Sequence, residues 1–220
     1  MDVSGTTMQH AVSAYYKGQR YVPLTNTQEK RFSSPHDYDL AQLSKASYDA
    51  TRTVAGPYHK IERYSDPAGR FSAWAVPGTK TITIAARGTD VRRGGDLFSD
   101  ALVAQGLLRY DPRVKDLNKM INKIPEGYKI VLTGHSMGSS VIREVSNNRR
   151  VHAAVGFNTG YMVPTSYGPA SGWLQGTGKF DKFSDYVNDR DPVSIGSWID
   201  RGKHTRYNRP GYMNVHQPFY

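Results

Sequence analysis

The sequence contains no cysteine and no apolar run long enough to span a bilayer. Without cysteine there can be no disulfide, no thiolate nucleophile and no cysteine-ligated metal site. The N-terminal stretch MDVSGTTMQHAVSAYYKGQR also lacks the charged region and apolar core of a secretory signal. We therefore expect a soluble protein, either cytoplasmic or exported by another route, and the lack of cysteine fits a reducing compartment.

Acidic residues are in the minority, with 19 against 29 basic residues and a formal net charge of +10. A balance this basic favours anionic partners such as phospholipid surfaces or nucleic acid. The basic residues are scattered, however, and the sequence has no long basic run and no nucleic-acid-binding motif. Two interpretations fit this pattern: peripheral contact with an anionic membrane surface, and an ordinary soluble basic surface. The charge pattern does not predict an oligomeric state.

The chain divides by composition into a polar, poorly periodic arm at residues 1–35 and one domain at residues 36–220. In the domain, short apolar β-branched runs alternate with segments of helical periodicity. The predicted strands are YHKIERY, FSAWAV, TITIAARGTD, PEGYKIVLTG, VHAAVGFNTG and, as the last clear strand, FSDYVNDRDPVSI. The predicted helices are DYDLAQLSKASYDA, DLFSDALVAQGLL, DPRVKDLNKMINKI and SSVIREV. This alternation predicts an α/β fold with a mainly parallel sheet and helices on both faces.

The stretch KIVLTGHSMGSSVIREV carries the most informative motif. GHSMG fits the pattern G-x-S-x-G between a predicted strand and a predicted helix, which is the context of a nucleophile elbow. There, Gly134 and Gly138 would let strand and helix cross closely, and Ser136 would be exposed at the end of the sheet. The alternative is a glycine-rich turn in which Ser136 only caps the helix.

Four segments, taken in order, make the chain resemble the class 3 or fungal-type lipases of the α/β-hydrolase superfamily. TITIAARGTD resembles the family's strand ending in arginine-glycine-threonine, and GGDLFSDALV resembles its aspartate-tryptophan-leucine segment. IVLTGHSMGSS resembles the nucleophile strand and elbow, and DYVNDRDPVS resembles the strand before the catalytic aspartate. The chain departs from the family where Leu97 replaces the tryptophan, and Ser139 and Ser140 follow the elbow.

The resemblance implies a catalytic triad with Ser136 as nucleophile, Asp191 as acid and His216 as base. Asp189 is the alternative acid because it precedes Asp191 by two residues at the same predicted strand end. The superfamily's chain order places the base after the acid, and the two histidines that follow Asp191 are His204 and His216. His204 is therefore the alternative base. HQPFY resembles the family's C-terminal ending, and this favours His216.

The same resemblance assigns the oxyanion hole to Thr89 and Met137. It also implies a mobile helical lid, matched here by VRRGGDLFSDALVAQG, although an ordinary amphipathic helix packed on the sheet would look the same. No metal or organic cofactor is expected. The implied activity is hydrolysis of acyl-glycerol or phospholipid esters through an acyl-enzyme. The alternatives are an acyltransferase with the same triad, and a catalytically weak or inactive hydrolase-fold protein with a structural or anion-binding role.

Overall fold

A computed structural model of the protein describes residues 35–89, 112–160, 180–188 and 203–207, the last segment by its backbone. Within this part the sheet has eight strands in sequential order, β1 to β8. The strands are β1 (Val54–Ala55), β2 (Tyr58–Lys60), β3 (Phe71–Ala75), β4 (Thr81–Ala86), β5 (Lys129–His135), β6 (Val151–Phe157), β7 (Phe183–Asn188) and β8 (Lys203–Tyr207). The helices are α1 (Pro35–Ala46), α2 (Pro112–Lys123) and α3 (Met137–Val145), with a short 3-10 helix at Glu62–Tyr64.

The sheet changes character at β4. Strands β1 to β4 pair antiparallel through short connections, whereas every pair from β4 to β8 is parallel. The carboxyl ends of β4 to β8 therefore lie along one edge of the sheet, which is where parallel sheets collect their functional groups. The predicted mainly parallel sheet is confirmed.

Helices cover both faces of this sheet. Helices α2 and α3 pack on one face, where their apolar side chains join alternate residues of the central strands in the main core, including Ile82, Ile84, Leu117, Ile121, Ile130, Leu132, Val141 and Ile142. On the other face, Leu43 and Ala46 of α1 pack with Tyr58, Trp74 and Ala85. The Thr133 hydroxyl of β5 donates a hydrogen bond of 3.1 Å to the Leu40 carbonyl, which anchors α1 to the strand that precedes the elbow.

Two strand predictions need correction. YHKIERY is a strand only over Tyr58–Lys60, because the chain turns into the 3-10 helix at Glu62 and cannot continue the pairing with β3. FSDYVNDRDPVSI does not carry the last strand, since KHTRY adds β8 in parallel to β7. KHTRY has no apolar alternation because β8 ends the described sheet and has one strand neighbour rather than two.

Several predicted features lie outside the described residues. These are the N-terminal arm apart from Pro35, the lid stretch with its helix DLFSDALVAQGLL, and residues 189–202 and 208–220. The boundary at residue 35 stays a prediction. In the part of the chain that the structure does describe, no helix is both long and apolar enough to cross a membrane.

Candidate active site

Ser136 occupies the sharp turn between β5 and α3. Its backbone has φ 56° and ψ −127°, a conformation that residues with a side chain rarely adopt. Its side chain makes no capping hydrogen bond to the first turn of α3. A serine that capped the helix would have extended backbone angles and would accept such a bond, so the capping interpretation is excluded. The geometry is that of a strained strand-to-helix elbow.

Two glycines allow the elbow to form. A Cβ atom on Gly134 would lie 2.7 Å from the Gly138 carbonyl carbon and 2.8 Å from its oxygen. A Cβ on Gly138 would collide with the Ala86 carbonyl oxygen at the end of β4. The predicted close crossing of strand and helix is therefore confirmed, and it holds the elbow against the end of β4.

The two residues predicted to form the oxyanion hole lie together. Met137 is the first residue of α3, so its backbone N–H belongs to the helix end that has no intrahelical acceptor. Thr89 follows the end of β4, and its hydroxyl lies 3.7 Å from the Met137 sulfur. Nη1 of Arg113, near the start of α2, approaches the same sulfur at 2.7 Å. The positively charged guanidinium of Arg113 therefore lies next to the side chain of Met137.

Polar residues after the elbow tie it to the end of β6. The Ser136 amide donates to the Phe157 carbonyl at 3.1 Å, and the Ser140 hydroxyl donates to the Gly160 carbonyl at 2.8 Å. The Ser139 hydroxyl is within 2.5 Å of the Thr159 hydroxyl, and both side chains are fully buried. The two serines that depart from the family pattern therefore anchor the neighbouring strand end to the elbow helix.

Tyr48 is a neighbour of the elbow that no sequence pattern indicates. Its hydroxyl lies 2.8 Å from Nδ1 of His135, the residue before Ser136, although the two are 87 positions apart in the chain. Their rings meet edge to face with centroids 5.9 Å apart. Only the docking of the segment after α1 onto the end of β5 brings them together.

The predicted acids, Asp189 and Asp191, and the preferred base, His216, lie outside the described residues. The strand that leads to the acids does end beside the elbow. Tyr186 of β7 pairs with Phe157 of β6, which in turn pairs with His135. The carboxyl end of β7 is therefore at the same edge of the sheet as Ser136.

His204, the alternative base, belongs to β8 and pairs with Asp185 of β7. Its backbone is three strands along the sheet from β5. At the usual strand spacing this corresponds to about 14 Å. The register also places it at the level of Gly134, below Ser136, rather than beyond the carboxyl edge.

Within the described residues there is no group of three histidine, aspartate or glutamate side chains that could hold a metal ion. Burial raises the pKa of the Asp39 carboxyl in α1 to about 6. The role proposed for the elbow serine depends on geometry and on a neighbouring base.

Comparison with solved structures identifies the architecture. The Lip2 lipase from Yarrowia lipolytica aligns with a TM-score of 0.50 and 15% identity over 80% of each chain. The nonglycosylated form of the Yarrowia lipolytica lipase aligns with a TM-score of 0.51 and 16% identity, covering 80% of this chain and 81% of that one. The chain has the α/β-hydrolase fold of the fungal lipases.

The likeness to the fungal lipases is one of fold, since the sequence identities are only 15% and 16%. No protein-family model matches the sequence, and no curated protein matches it either. The predicted lipase-type fold is thus confirmed by structure alone.

Proposed function

We propose that the protein is a serine ester hydrolase of lipase type, which cleaves acyl-glycerol or phospholipid esters through an acyl-enzyme on Ser136. The observation that carries this proposal is the strained backbone of Ser136 at the turn between β5 and α3. Strain of this kind costs roughly 1–3 kcal/mol and is concentrated at positions that have a functional use. At a strand-to-helix elbow, that use is to present a nucleophile.

In the proposed reaction the Ser136 hydroxyl attacks the ester carbonyl carbon while a histidine accepts its proton. The backbone amides of Thr89 and Met137 donate hydrogen bonds to the resulting oxyanion, which is worth about 3 kcal/mol for each donor. The tetrahedral intermediate then expels the alcohol, which takes the proton from the histidine. Water, activated by the same histidine, releases the fatty acid and regenerates Ser136.

We propose His216 as the base and Asp191 as the acid that orients it. The alternative base, His204, belongs to a strand about three strand spacings from β5, which favours His216. Asp189 stays the alternative acid, because both aspartates follow the strand end that is level with the elbow. Substitution of each histidine and each aspartate separately, with kcat as the readout, distinguishes the two pairs.

Within the proposed substrate class, the Arg113 guanidinium favours esters with an anionic group. Its Nη1 atom and the Thr89 hydroxyl both approach the Met137 sulfur, so the two are at most roughly 6.5 Å apart. A phosphate near the scissile ester would be attracted by this cation. The net charge of +10 would also favour binding to anionic vesicles.

The test is hydrolysis of a short p-nitrophenyl ester series and of phosphatidylglycerol vesicles by wild type and Ser136→Ala. We expect turnover in the wild type, loss of turnover in the variant, and covalent labelling of Ser136 by a fluorophosphonate. Turnover that increases when an alcohol is added would favour the acyltransferase alternative. If neither protein hydrolyses any of the esters or reacts with the fluorophosphonate, the proposal is refuted and a non-catalytic role is favoured.

A further inference from the structure

Tyr48 lies between the two chain segments that carry the proposed oxyanion donors. It follows α1 and is partly buried, and its hydroxyl is 2.8 Å from Nδ1 of His135, a side chain only 5% exposed. Both neutral tautomers of His135 allow this bond, since an unprotonated Nδ1 accepts from the tyrosine hydroxyl and a protonated Nδ1 donates to it. The bond is therefore a direct link from Tyr48 to the residue preceding Ser136.

The same hydroxyl also contacts the end of β4. A Cβ atom on Gly88 would collide with the Tyr48 hydroxyl oxygen, and it would lie 2.7 Å from the His135 carbonyl oxygen and 3.1 Å from the Ser136 Cβ. Glycine is thus required here, because three neighbours converge on the space that a side chain would take. Gly88 directly precedes Thr89, so the tyrosine touches the segment that carries one proposed donor and is bonded to the segment that carries the other.

We propose that Tyr48 is a positioning residue that sets the separation between the Gly88–Thr89 backbone and the elbow. Oxyanion stabilisation requires amides that are fixed before the reaction, and a displacement of about 1 Å can cost roughly 100-fold in rate. Tyr48 acts through His135 on one side and through its contact with Gly88 on the other. This inference rests on the proposed hydrolase function.

The first variant is Tyr48→Phe, which keeps the ring packing against His135 and removes the hydroxyl. We expect kcat for p-nitrophenyl butyrate to fall about 10–100-fold while KM changes less than about threefold, because the donors act on the transition state rather than on the bound ester. Tyr128→Phe is the matched control. Tyr128 is also partly buried, but it lies at the opposite end of β5, against the main core. We expect this control to keep the wild-type kcat.

A double-mutant cycle tests the path of the effect. His135→Leu removes the hydrogen-bond partner of Tyr48, whereas His135→Asn keeps a polar group near the position of Nδ1. If Tyr48 acts through His135, Tyr48→Phe causes little further loss in the His135→Leu background, and His135→Asn retains more activity than His135→Leu. Thermal midpoints measured for all variants separate these losses from unfolding.

The outcomes are distinct. A wild type that neither turns over the ester nor reacts with a fluorophosphonate overturns the proposed function and this inference together. A reactive wild type with an equally reactive Tyr48→Phe variant overturns the inference alone. So does a cycle in which the two losses multiply independently. Loss of kcat in Tyr48→Phe with a normal thermal midpoint and a non-additive cycle supports it.

Discussion

The backbone of Ser136 predicts that the protein becomes more stable when the residue loses its side chain altogether. At φ 56° and ψ −127° a Cβ atom is in steric conflict with the backbone, and glycine has no Cβ. Alanine at this position removes the hydroxyl but retains the conflict. Comparing Ser136→Gly with Ser136→Ala therefore measures the strain separately from the loss of the nucleophile.

The size of the effect follows from two opposing contributions. Relief of the strained conformation stabilises the fold by roughly 1–3 kcal/mol. Glycine also raises the entropy of the unfolded chain, which destabilises the fold by roughly 0.5–1 kcal/mol. We expect Ser136→Gly to be about 1–2 kcal/mol more stable than Ser136→Ala. For a domain of this size that corresponds to a thermal midpoint about 2–8 °C higher.

The assay is thermal or urea unfolding of both variants, with hydrolysis of p-nitrophenyl butyrate measured in parallel. Both variants should be inactive, so the difference in stability cannot be attributed to bound substrate or product. A glycine variant that is less stable than the alanine variant by the entropic cost alone, roughly 0.5–1 kcal/mol, would show that the elbow carries no strain. The main support for Ser136 as a nucleophile would then be lost.

Three further predictions concern packing, pH and charge. Gly138→Ala should destabilise the fold by roughly 1–3 kcal/mol and abolish hydrolysis, because the added Cβ collides with the Ala86 carbonyl; an unchanged urea midpoint would contradict this. Burial raises the pKa of Asp39 from 3.8 to about 6, so between these pH values the folded protein binds more protons than the unfolded chain. The free energy of unfolding should therefore fall by at most about 3 kcal/mol as pH rises from about 4 to 7. The stability of Asp39→Asn, measured by urea unfolding, should lose this pH dependence. A variant with the same pH profile as the wild type would contradict the role given to Asp39. Arg113→Gln should lower kcat/KM on phosphatidylglycerol vesicles about 5–10-fold and affect kcat/KM on a neutral ester much less. Lys115 is an exposed cation on the same helix, and Lys115→Gln should change neither value. An equal loss on both substrates in Arg113→Gln would refute a charge effect.

The sequence predicted most of the central sheet because buried strands have a local signature. The β-branched runs TITIAA and KIVLT are β4 and most of β5, and the periodic segment DPRVKDLNKMINKI contains α2. KHTRY was missed, since a charged strand with one strand neighbour has no such signature. The elbow was predictable because its glycines and serine are contiguous in the chain.

The surroundings of the elbow were not predictable in the same way. Tyr48 and Arg113 are brought to the elbow by tertiary contacts across 87 and 24 positions, and neither contact has a sequence signature. The acid and the base stay predictions, because the candidates other than His204 lie outside the described residues. Their assignment depends on the family resemblance and on where β7 ends.

The change from antiparallel to parallel pairing at β4 has a consequence for the order of folding. Strands β1 to β4 pair through short connections, and these contacts close quickly because little loop entropy is lost. The elbow needs β4 beside β5, and the chain from Arg87 to Tyr128 must be looped out before that pair can form. The antiparallel half can therefore assemble while the nucleophile is still unformed. We therefore expect any activity of this protein to appear only once the long-range pairing of β4 with β5 is complete.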